Sequence, residues 1–370
     1  MSTPLQPGNP VDPRLPWIRK LHHMDAAWAT SLAGERASAV EAAGRKLGDA
    51  LREGPTVRSV HSIDGQITPY PIRFAYNGAI GGNLLFMQNR ALLVQVEHAG
   101  RLYNVLFNPT DPVASAEAPY FRRLRATLPD ALYKLLGPKP SKIPAALAQW
   151  GLRCEDIDVV CFDHFHVQDL RPIIGTADTP GTYPNALLLA PKVEWEDWDH
   201  LHPLQRAFFI DEGKAGLDPQ RVVLTENDLL LGPGAVLLRT PGHTSGNQTI
   251  FLHTDTGVWG SSENGTSADC WTPQASRLKA LRKTAHYYGA DVILNTNTPE
   301  LFGEQYISML LERAVVDRVA SAPDFVQMLP SSEVTWHVAA PHIRPSMVHG
   351  GLAHGRVAAR EPAAATAAAA

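Results

Sequence analysis

A short apolar segment that ends in a histidine-rich loop is the most constraining feature of this sequence. Val159–Phe162 carries no charged side chain, and Asp163-His-Phe-His166 follows it directly. A short apolar run of this kind is typical of a buried strand. Loops that follow such strands often carry functional side chains. The segment therefore predicts a buried strand with chemically active groups directly after its end.

The composition describes an ordinary folded protein and excludes several classes. The chain has 370 residues, of which 44% are hydrophobic and 19% charged, and its formal net charge is −4. It has no basic stripe for nucleic acid and no run of about 18 apolar residues that would cross a membrane. The three cysteines do not suggest a disulfide framework, and the Pro-rich N-terminus is unlike a secretion signal. We therefore expect a cytoplasmic protein without nucleic-acid or membrane partners.

The sequence predicts one main domain with an extension at each end. Residues 1–60 are an N-terminal arm and helix, 61–325 the main domain, and 326–370 a C-terminal extension with a disordered Ala-rich tail. The N-terminal helix has no chemical motif, so it either packs on the domain or joins two copies as a homodimer. Periodicity and breaks predict helices over His22–Arg52, Phe121–Leu136, Ile143–Trp150, Glu194–Asp211 and Glu300–Ala322, and strands over Ile67–Tyr76, Asn83–Phe86, Ala91–Glu97, Leu102–Phe107, Val159–Phe162, Tyr183–Ala190, Ala235–Thr240, Thr249–His253 and Val292–Leu294.

Two histidines one residue apart, His164 and His166, are the first candidate metal ligands. Both reach one ion if the loop turns immediately, and imidazole suits zinc, iron and related ions. By itself the pair also fits a surface loop with two solvated histidines. Its position after a buried strand and before Asp169 favours a functional loop.

Two further segments place polar side chains after predicted strands. Pro241 and Gly242 form a rigid turn that presents His243. Glu263 ends the segment Trp259-Gly-Ser-Ser-Glu263. Taken singly, these side chains also fit a hydrogen-bonded loop histidine and an ordinary polar turn.

Together these segments resemble the metal-binding motifs of the metallo-β-lactamase superfamily, in the family's order. Gly151–His166 is similar to the approach to the first motif, HxHxDH, and Leu231–Gly246 to the segment with the next metal-binding histidine. Gly257–Glu263 and Asp291–Asn297 resemble the segments with the bridging aspartate and the last histidine. The resemblance implies an αββα sandwich with an N-terminal helical extension and a C-terminal helical addition.

The resemblance also implies an intact first metal site. His164, His166 and His243 match its three ligands, and a zinc ion is the expected occupant. Asp163 either orients a ligand histidine through its second ring nitrogen or is a solvated loop residue.

The second metal site of the family is altered in this sequence. Gln168 stands where the family has a metal-binding aspartate, and Asp169 where it has a second-site histidine. Glu263 replaces the bridging aspartate, and Asn297 replaces the last histidine. An oxygen-rich site built from Asp169 and Glu263, with or without Asn297, favours iron, manganese or magnesium over zinc. The sequence therefore leaves open whether one or two divalent ions bind.

The function implied by the resemblance is metal-dependent hydrolysis. Tyr183–Gly246 is most similar to the lactonase-like branch, which implies an ester or lactone substrate. A metal-activated water is expected to attack the carbonyl, with Asp169 or Glu263 holding or deprotonating the water and Gln168 hydrogen-bonding water or substrate. An iron-dependent redox enzyme that activates oxygen and a non-catalytic metal- or ligand-binding protein are open alternatives.

Several neighbouring residues have two interpretations each. Arg171 forms a structural ion pair with Asp169 or binds an anionic substrate. The aromatic side chains that either line a substrate pocket or pack in the core are Trp195, Trp198, Phe208 and Phe209.

Overall fold

The computed structural model of this protein describes residues 4–78 and 80–359. The Ala-rich tail predicted to be disordered lies outside the described residues from residue 360 onward. The strands are β1 (Arg19–Leu21), β2 (Ser59–Pro71), β3 (Leu84–His98), β4 (Arg101–Phe107), β5 (Val159–Cys161), β6 (Leu187–Pro191), β7 (Val222–Thr225), β8 (Asp228–Gly232), β9 (Ala235–Arg239), β10 (Gln248–Thr254), β11 (Gly257–Ser262), β12 (Arg318–Val319), β13 (Ala322–Val326), β14 (Met328–Pro330), β15 (Ser332–Thr335) and β16 (Ala353–His354). The α-helices are α1 (Asp25–Trp28), α2 (Ala33–Glu53), α3 (Ile72–Ala75), α4 (Pro112–Ser115), α5 (Pro119–Thr127), α6 (Asp130–Leu136), α7 (Ile143–Gln149), α8 (Arg171–Ile174), α9 (Lys192–Asp197), α10 (Ala268–Trp271), α11 (Lys279–Tyr288) and α12 (Phe302–Val315).

Two mixed sheets form the middle of the molecule. The first has the strand order β1-β8-β9-β10-β11-β14 and is antiparallel except for the β11–β14 pair. The second has the order β16-β2-β3-β4-β5-β6-β7, and β15 also pairs with β3. Within it, β4, β5, β6 and β7 run parallel. The predicted histidine loop therefore begins at the carboxyl end of a strand with a parallel neighbour on each side.

Three apolar clusters define the layers. Leu92 and Val94 of β3 share a cluster with Leu237 of β9, which fills the space between the sheets. Leu93, whose side chain points to the opposite face of β3, belongs to a cluster with α7 and α8. On the outer face of the first sheet, α2 and α12 pack against each other and against β11. The αββα sandwich predicted from the sequence is thus confirmed.

Two helices predicted in the first half of the chain each consist of two shorter helices in the structure. The helix expected over His22–Arg52 consists of α1 and α2, with a break before residue 33. The helix expected over Phe121–Leu136 consists of α5 and α6. Pro129 separates these two, since a residue before proline is disfavoured in the helical conformation.

Three predicted elements in the second half of the chain are wrong in type or extent. The helix expected over Glu194–Asp211 ends at Asp197, and the residues after it form turns. Val292–Leu294 is not a strand. The helix expected over Glu300–Ala322 ends at Val315 and is followed by β12 and β13.

Both predicted extensions contribute strands to the sandwich. From the N-terminal extension, β1 pairs with β8 in the first sheet. From the C-terminal extension, β14 pairs with β11 in the first sheet and β15 with β3 in the second. After α12, the described residues up to 359 form strands and turns, where a helical addition was expected. The domain boundaries at residues 60 and 325 stay a prediction. Among the described residues, no helix is both long enough and apolar enough to cross a membrane.

Candidate metal centre

The loop after β5 turns sharply and carries two histidines. The backbone N–H of Asp163 donates to Asn108 Oδ1 at 2.8 Å, which fixes the start of the loop. Val167, directly after His166, has a φ of +57°. A β-branched residue rarely adopts this left-handed conformation, which costs about 1–3 kcal/mol. The Val167 N–H donates to the Phe208 carbonyl at 2.7 Å, and this contact helps to hold the turn.

The third histidine, His243, lies in the turn after β9. A Cβ atom on Gly242 would lie 2.4 Å from Gln305 Cα, so the close approach of α12 requires glycine at this position. The backbone N–H of His243 donates to Asn264 Oδ1 at 2.9 Å. Its carbonyl accepts from Thr298 Oγ1 at 2.8 Å. The turn is therefore fixed from two other segments of the chain.

The three histidine rings converge at one edge of the sandwich. The side chains of His164, His166 and His243 are buried, and one ring nitrogen of each lies within 4.8 Å of those of the others. The ring centroids are 4.4 to 5.1 Å apart. The ligands come from both sheets, because His164 and His166 follow β5 and His243 follows β9.

Neighbouring side chains orient two of the rings. His164 Nδ1 pairs with Asp163 Oδ1 at 2.7 Å, and the other oxygen of Asp163 accepts from Ser331 Oγ. His166 Nε2 pairs with Gln205 Oε1 at 2.5 Å. The opposite nitrogen of each ring has no partner outside the three histidines among the described residues, and His166 Nδ1 lies 3.1 Å from His243 Nε2, which is the usual arrangement of metal-binding histidines. Of the two interpretations of Asp163, the orienting role fits the structure.

Burial and charge set the protonation of the rings. Burial lowers the pKa of His166 and His243 well below the ordinary value, and the positive charge of His164 lowers it further. Burial also acts to lower the pKa of His164, but the carboxylate of Asp163 more than offsets this and the pKa is raised. His166 and His243 are therefore neutral near pH 7, each with a lone pair available to an ion.

Glu194, at the start of α9, connects the two histidine loops. Its Oε1 accepts from the Phe165 N–H at 2.7 Å, and its Oε2 accepts from Thr244 Oγ1 at 2.9 Å. Burial raises the pKa of Glu194 to about 7. Sequence analysis missed both Glu194 and Gln205, because an isolated acidic or amide residue in an aromatic segment has no diagnostic spacing.

Asp169 is not part of the three-histidine group, and both Asp169 and Gln168 have partners elsewhere. Asp169 accepts from Arg171 through both oxygens, Oδ1 from Nε at 2.9 Å and Oδ2 from Nη2 at 2.7 Å. Gln168 donates from Nε2 to Thr110 Oγ1 at 3.0 Å. Of the two interpretations of Arg171, the structure contains the ion pair.

Glu263 is buried at the end of β11 and keeps one oxygen free. The nearby Ser332 acts to lower the pKa of its carboxyl group, while Oε2 has no hydrogen-bond partner among the described residues. Burial raises the pKa of Glu263 well above the ordinary value, and the negative charge of Asp163 adds to the shift. Asn297 Oδ1 accepts from Tyr70 Oη at 2.8 Å. Glu263 is not part of the three-histidine group.

Aromatic rings form a wall beside His166. The Phe208 ring lies 5.4 Å from that of His166, and the rings of Phe74 and Tyr120 lie 5.7 and 5.6 Å from that of Phe208. Phe74 and Tyr120 are partly exposed, so the wall leads from the histidines toward solvent. Three of the four candidate pocket aromatics pack in or against the core cluster of the second sheet: Trp195, Trp198 and Phe209.

The donor set fits a divalent transition-metal ion. His166 Nδ1 and His243 Nε2 are 3.1 Å apart. Two nitrogens bound to one tetrahedral ion at about 2.0–2.1 Å are separated by about 3.3 Å. A hydrogen bond between two rings gives a similar distance, so the convergence of the third ring, His164, is the feature that distinguishes an ion site. Three imidazoles suit zinc, iron and copper.

Comparisons with known proteins give similarity only at the level of structure. No protein-family model and no curated protein sequence matches the chain. The chain is similar to a probable metal-dependent hydrolase from Staphylococcus aureus, with 16% identity, coverage of 69% of this chain and 83% of that one, and a TM-score of 0.48. An N-acyl homoserine lactone hydrolase with the product N-hexanoyl-L-homoserine bound at its catalytic metal centre has 17% identity, coverage of 64% and 90%, and a TM-score of 0.42. A hydrolase of the β-lactamase superfamily has 13% identity, coverage of 69% and 84%, and a TM-score of 0.40.

Proposed function

We propose that this protein is a hydrolase that uses one divalent metal ion held by His164, His166 and His243. The observation that carries the proposal is the convergence of three buried ring nitrogens within 4.8 Å. Catalytic zinc sites commonly have three protein ligands and leave a further position for water or substrate, whereas structural sites have four.

A single ion is favoured because two candidate ligands of a second site, Asp169 and Asn297, have other partners for their oxygens. The carboxylate of Asp169 is neutralised by Arg171, and the amide of Gln168 donates to Thr110. Asn297 accepts from Tyr70. A second ion would have to displace the contacts of Asp169 and Asn297, whereas Gln168 Oε1 and Glu263 Oε2 have no partner among the described residues.

The proposed chemistry assigns separate tasks to the residues of this chain. A bound divalent cation supplies Lewis acidity, which activates water and polarises a carbonyl. Asp163 and Gln205 hold the rings of His164 and His166 in place. Glu263 replaces Asp169 as the proposed proton acceptor, because it keeps an unpaired buried oxygen.

We propose an ester or lactone with an apolar acyl group as the substrate. The support is the resemblance of Tyr183–Gly246 to lactonase-like sequences and the aromatic wall beside His166. Phe74, Tyr120 and Phe208 offer apolar surface but no charge. A cytoplasmic location is supported by the three free cysteines, since thiols persist in reducing compartments.

The test is metal analysis combined with hydrolysis assays on the purified full chain. We expect about one ion per chain and hydrolysis of activated esters or lactones, and His243→Ala should lose both while His286→Ala should keep both. His286 lies exposed on α11 and serves as the matched control. Equal metal content and activity in the two variants would contradict the proposal. Iron with visible absorption and oxygen-dependent turnover would indicate the redox alternative.

A further inference from the structure

A buried amide links His166 to a carboxylate from a distant segment. Gln205 Oε1 lies 2.5 Å from His166 Nε2, at hydrogen-bond distance. Gln205 Nε2 donates to Glu300 Oε1 at 3.0 Å. Gln205 is buried and lies in the turn segment after α9, whereas Glu300 lies in the 3-10 turn Pro299–Leu301 before α12. Neither residue belongs to a motif identified in the sequence.

The Glu300 carboxylate determines the orientation of the Gln205 amide. An ionised carboxylate only accepts hydrogen bonds, so the NH₂ group of Gln205 must face Glu300 and its oxygen must face His166. An amide oxygen is likewise only an acceptor, so the proton of the neutral His166 ring must be on Nε2. The lone pair is then on Nδ1, the nitrogen that lies 3.1 Å from His243 Nε2.

We propose that Gln205 is a positioning residue that fixes His166 in the Nε2–H tautomer, and that Glu300 fixes the orientation of the Gln205 amide. The inference rests on the proposed function in one respect, because it takes His166 Nδ1 as the nitrogen offered to the ion. Asp163 performs the same task for His164 with a direct carboxylate contact. At His166 the amide transmits the orientation of a carboxylate without placing a negative charge against the ring.

The structure also explains why the tautomer needs fixing. Without an acceptor at Nε2, the His166 ring has a second acceptable state, in which Nδ1–H donates to His243 Nε2. In that state the nitrogen facing the other rings carries a proton and binds no metal. The loss of an outer contact to a metal-binding histidine typically weakens metal affinity by about 10–100-fold.

The experiment reads the tautomer directly in the metal-free full chain by ¹⁵N NMR of the histidine rings, at about pH 8, above the ordinary pKa of histidine. The wild-type protein should show His166 protonated on Nε2. Gln205→Leu and Glu300→Leu should each populate the Nδ1–H form, and Glu300→Gln should do so in part, because an amide can donate as well as accept and no longer dictates which way Gln205 faces. Leu204→Ala, a half-exposed neighbour on the same segment, is the control.

A second measurement is the dissociation constant for Zn²⁺ alone, from competition with a chelator. We expect about 10–100-fold weaker binding in Gln205→Leu and Glu300→Leu than in Leu204→Ala. An unchanged His166 tautomer in both leucine variants, with cooperative unfolding retained, would overturn the inference even if the enzyme remains active. Absence of Zn²⁺ binding by the wild-type chain would contradict the proposed function, while the tautomer measurement would still decide the role of Gln205.

Discussion

At the scale of single residues, two carboxylates near the site differ in what their neighbours leave free. Both oxygens of Asp169 accept from Arg171, whereas Glu263 Oε2 has no partner among the described residues. A carboxylate whose two oxygens both accept from a guanidinium has to give up one of these contacts before it can take a proton from another group. This contrast supports the proposal that Glu263, rather than Asp169, is the proton acceptor.

The corresponding prediction concerns Glu263→Gln. The variant should lower kcat for ester or lactone hydrolysis by about 10²–10⁴-fold, because an amide cannot take up a proton. Its metal content should equal that of the wild type, since the three histidines are intact. Asp169→Asn is the matched control and should retain most of the activity. A full rate in Glu263→Gln together with a large loss in Asp169→Asn would reverse the assignment.

At the scale of elements, glycines set the contact between the helices α2 and α12. A Cβ atom on Gly48 would lie 2.5 Å from the Val315 carbonyl oxygen, and one on Gly44 would lie 2.7 Å from a methyl group of Leu311. The two helices therefore approach more closely than alanine at these positions would permit.

Gly48→Ala should lower the free energy of unfolding by about 1–3 kcal/mol, because the helix must move away from a backbone atom. This loss exceeds the roughly 1 kcal/mol that alanine gains over glycine in helix propensity. Gly34→Ala in the same helix, where nothing lies within 4 Å of the new Cβ, should instead be neutral or stabilising. Denaturant unfolding of both variants measures the difference, and equal stability of the two would show that the helices are not in close contact.

A buried glutamate of α12 predicts a dependence of stability on pH. Glu312 accepts from Thr249, Asn264 and Trp271, each at 2.8 Å. Burial nevertheless raises its pKa above the ordinary value of 4.5. The folded state therefore binds this proton more readily than the unfolded state does. The protonated Glu312 side chain therefore contributes to the free energy of unfolding. This contribution is fully present below pH 4.5 and is lost as the pH rises through the raised pKa.

Glu312→Gln should remove this pH dependence. The wild type should exceed the variant in free energy of unfolding at both pH values. This difference should be larger at pH 4.5 than at a pH above the raised pKa of Glu312. The variant should also be less stable throughout by about 1–3 kcal/mol, since its NH₂ group faces donors. Unfolding curves from acidic to neutral pH test this, with Glu304→Gln on the same helix as control. A difference between wild type and variant that is constant with pH would contradict the raised pKa.

At the scale of the whole molecule, the candidate metal site connects the two sheets. His164 and His166 follow β5 in the second sheet, and His243 follows β9 in the first. An ion bound by all three binds only the folded chain, so it stabilises the sandwich by mass action.

Zn²⁺ at 100 times its dissociation constant should therefore raise the free energy of unfolding by about 2.7 kcal/mol. Thermal unfolding with and without the ion measures the change. His243→Ala should abolish it, and His286→Ala should retain it. The same rise in His243→Ala would place the binding of Zn²⁺ elsewhere in the chain.

The sequence by itself indicated the layers of the fold through the resemblance of four ordered segments, and it identified the three histidines that the structure brings together. Alternation in β3, where Leu92 and Val94 face one core and Leu93 the other, is a local property of a pleated strand. His164 and His166 are placed by the end of an apolar run, and His243 by a Pro-Gly turn. Strand alternation, the end of an apolar run and a Pro-Gly turn depend on residues that are neighbours in the chain, so they can be predicted from the sequence.

Only the tertiary structure decided which polar groups near the histidines are free and which have partners. The partner of His166 is 39 residues away, and the carboxylate that orients this partner is a further 95 residues along the chain. Likewise, Val292–Leu294 has the composition of a strand but pairs with none, and α12 ends at Val315 before two short strands. Strand pairing and the satisfaction of buried hydrogen bonds depend on segments that meet only after folding, so no local spacing in the sequence encodes them.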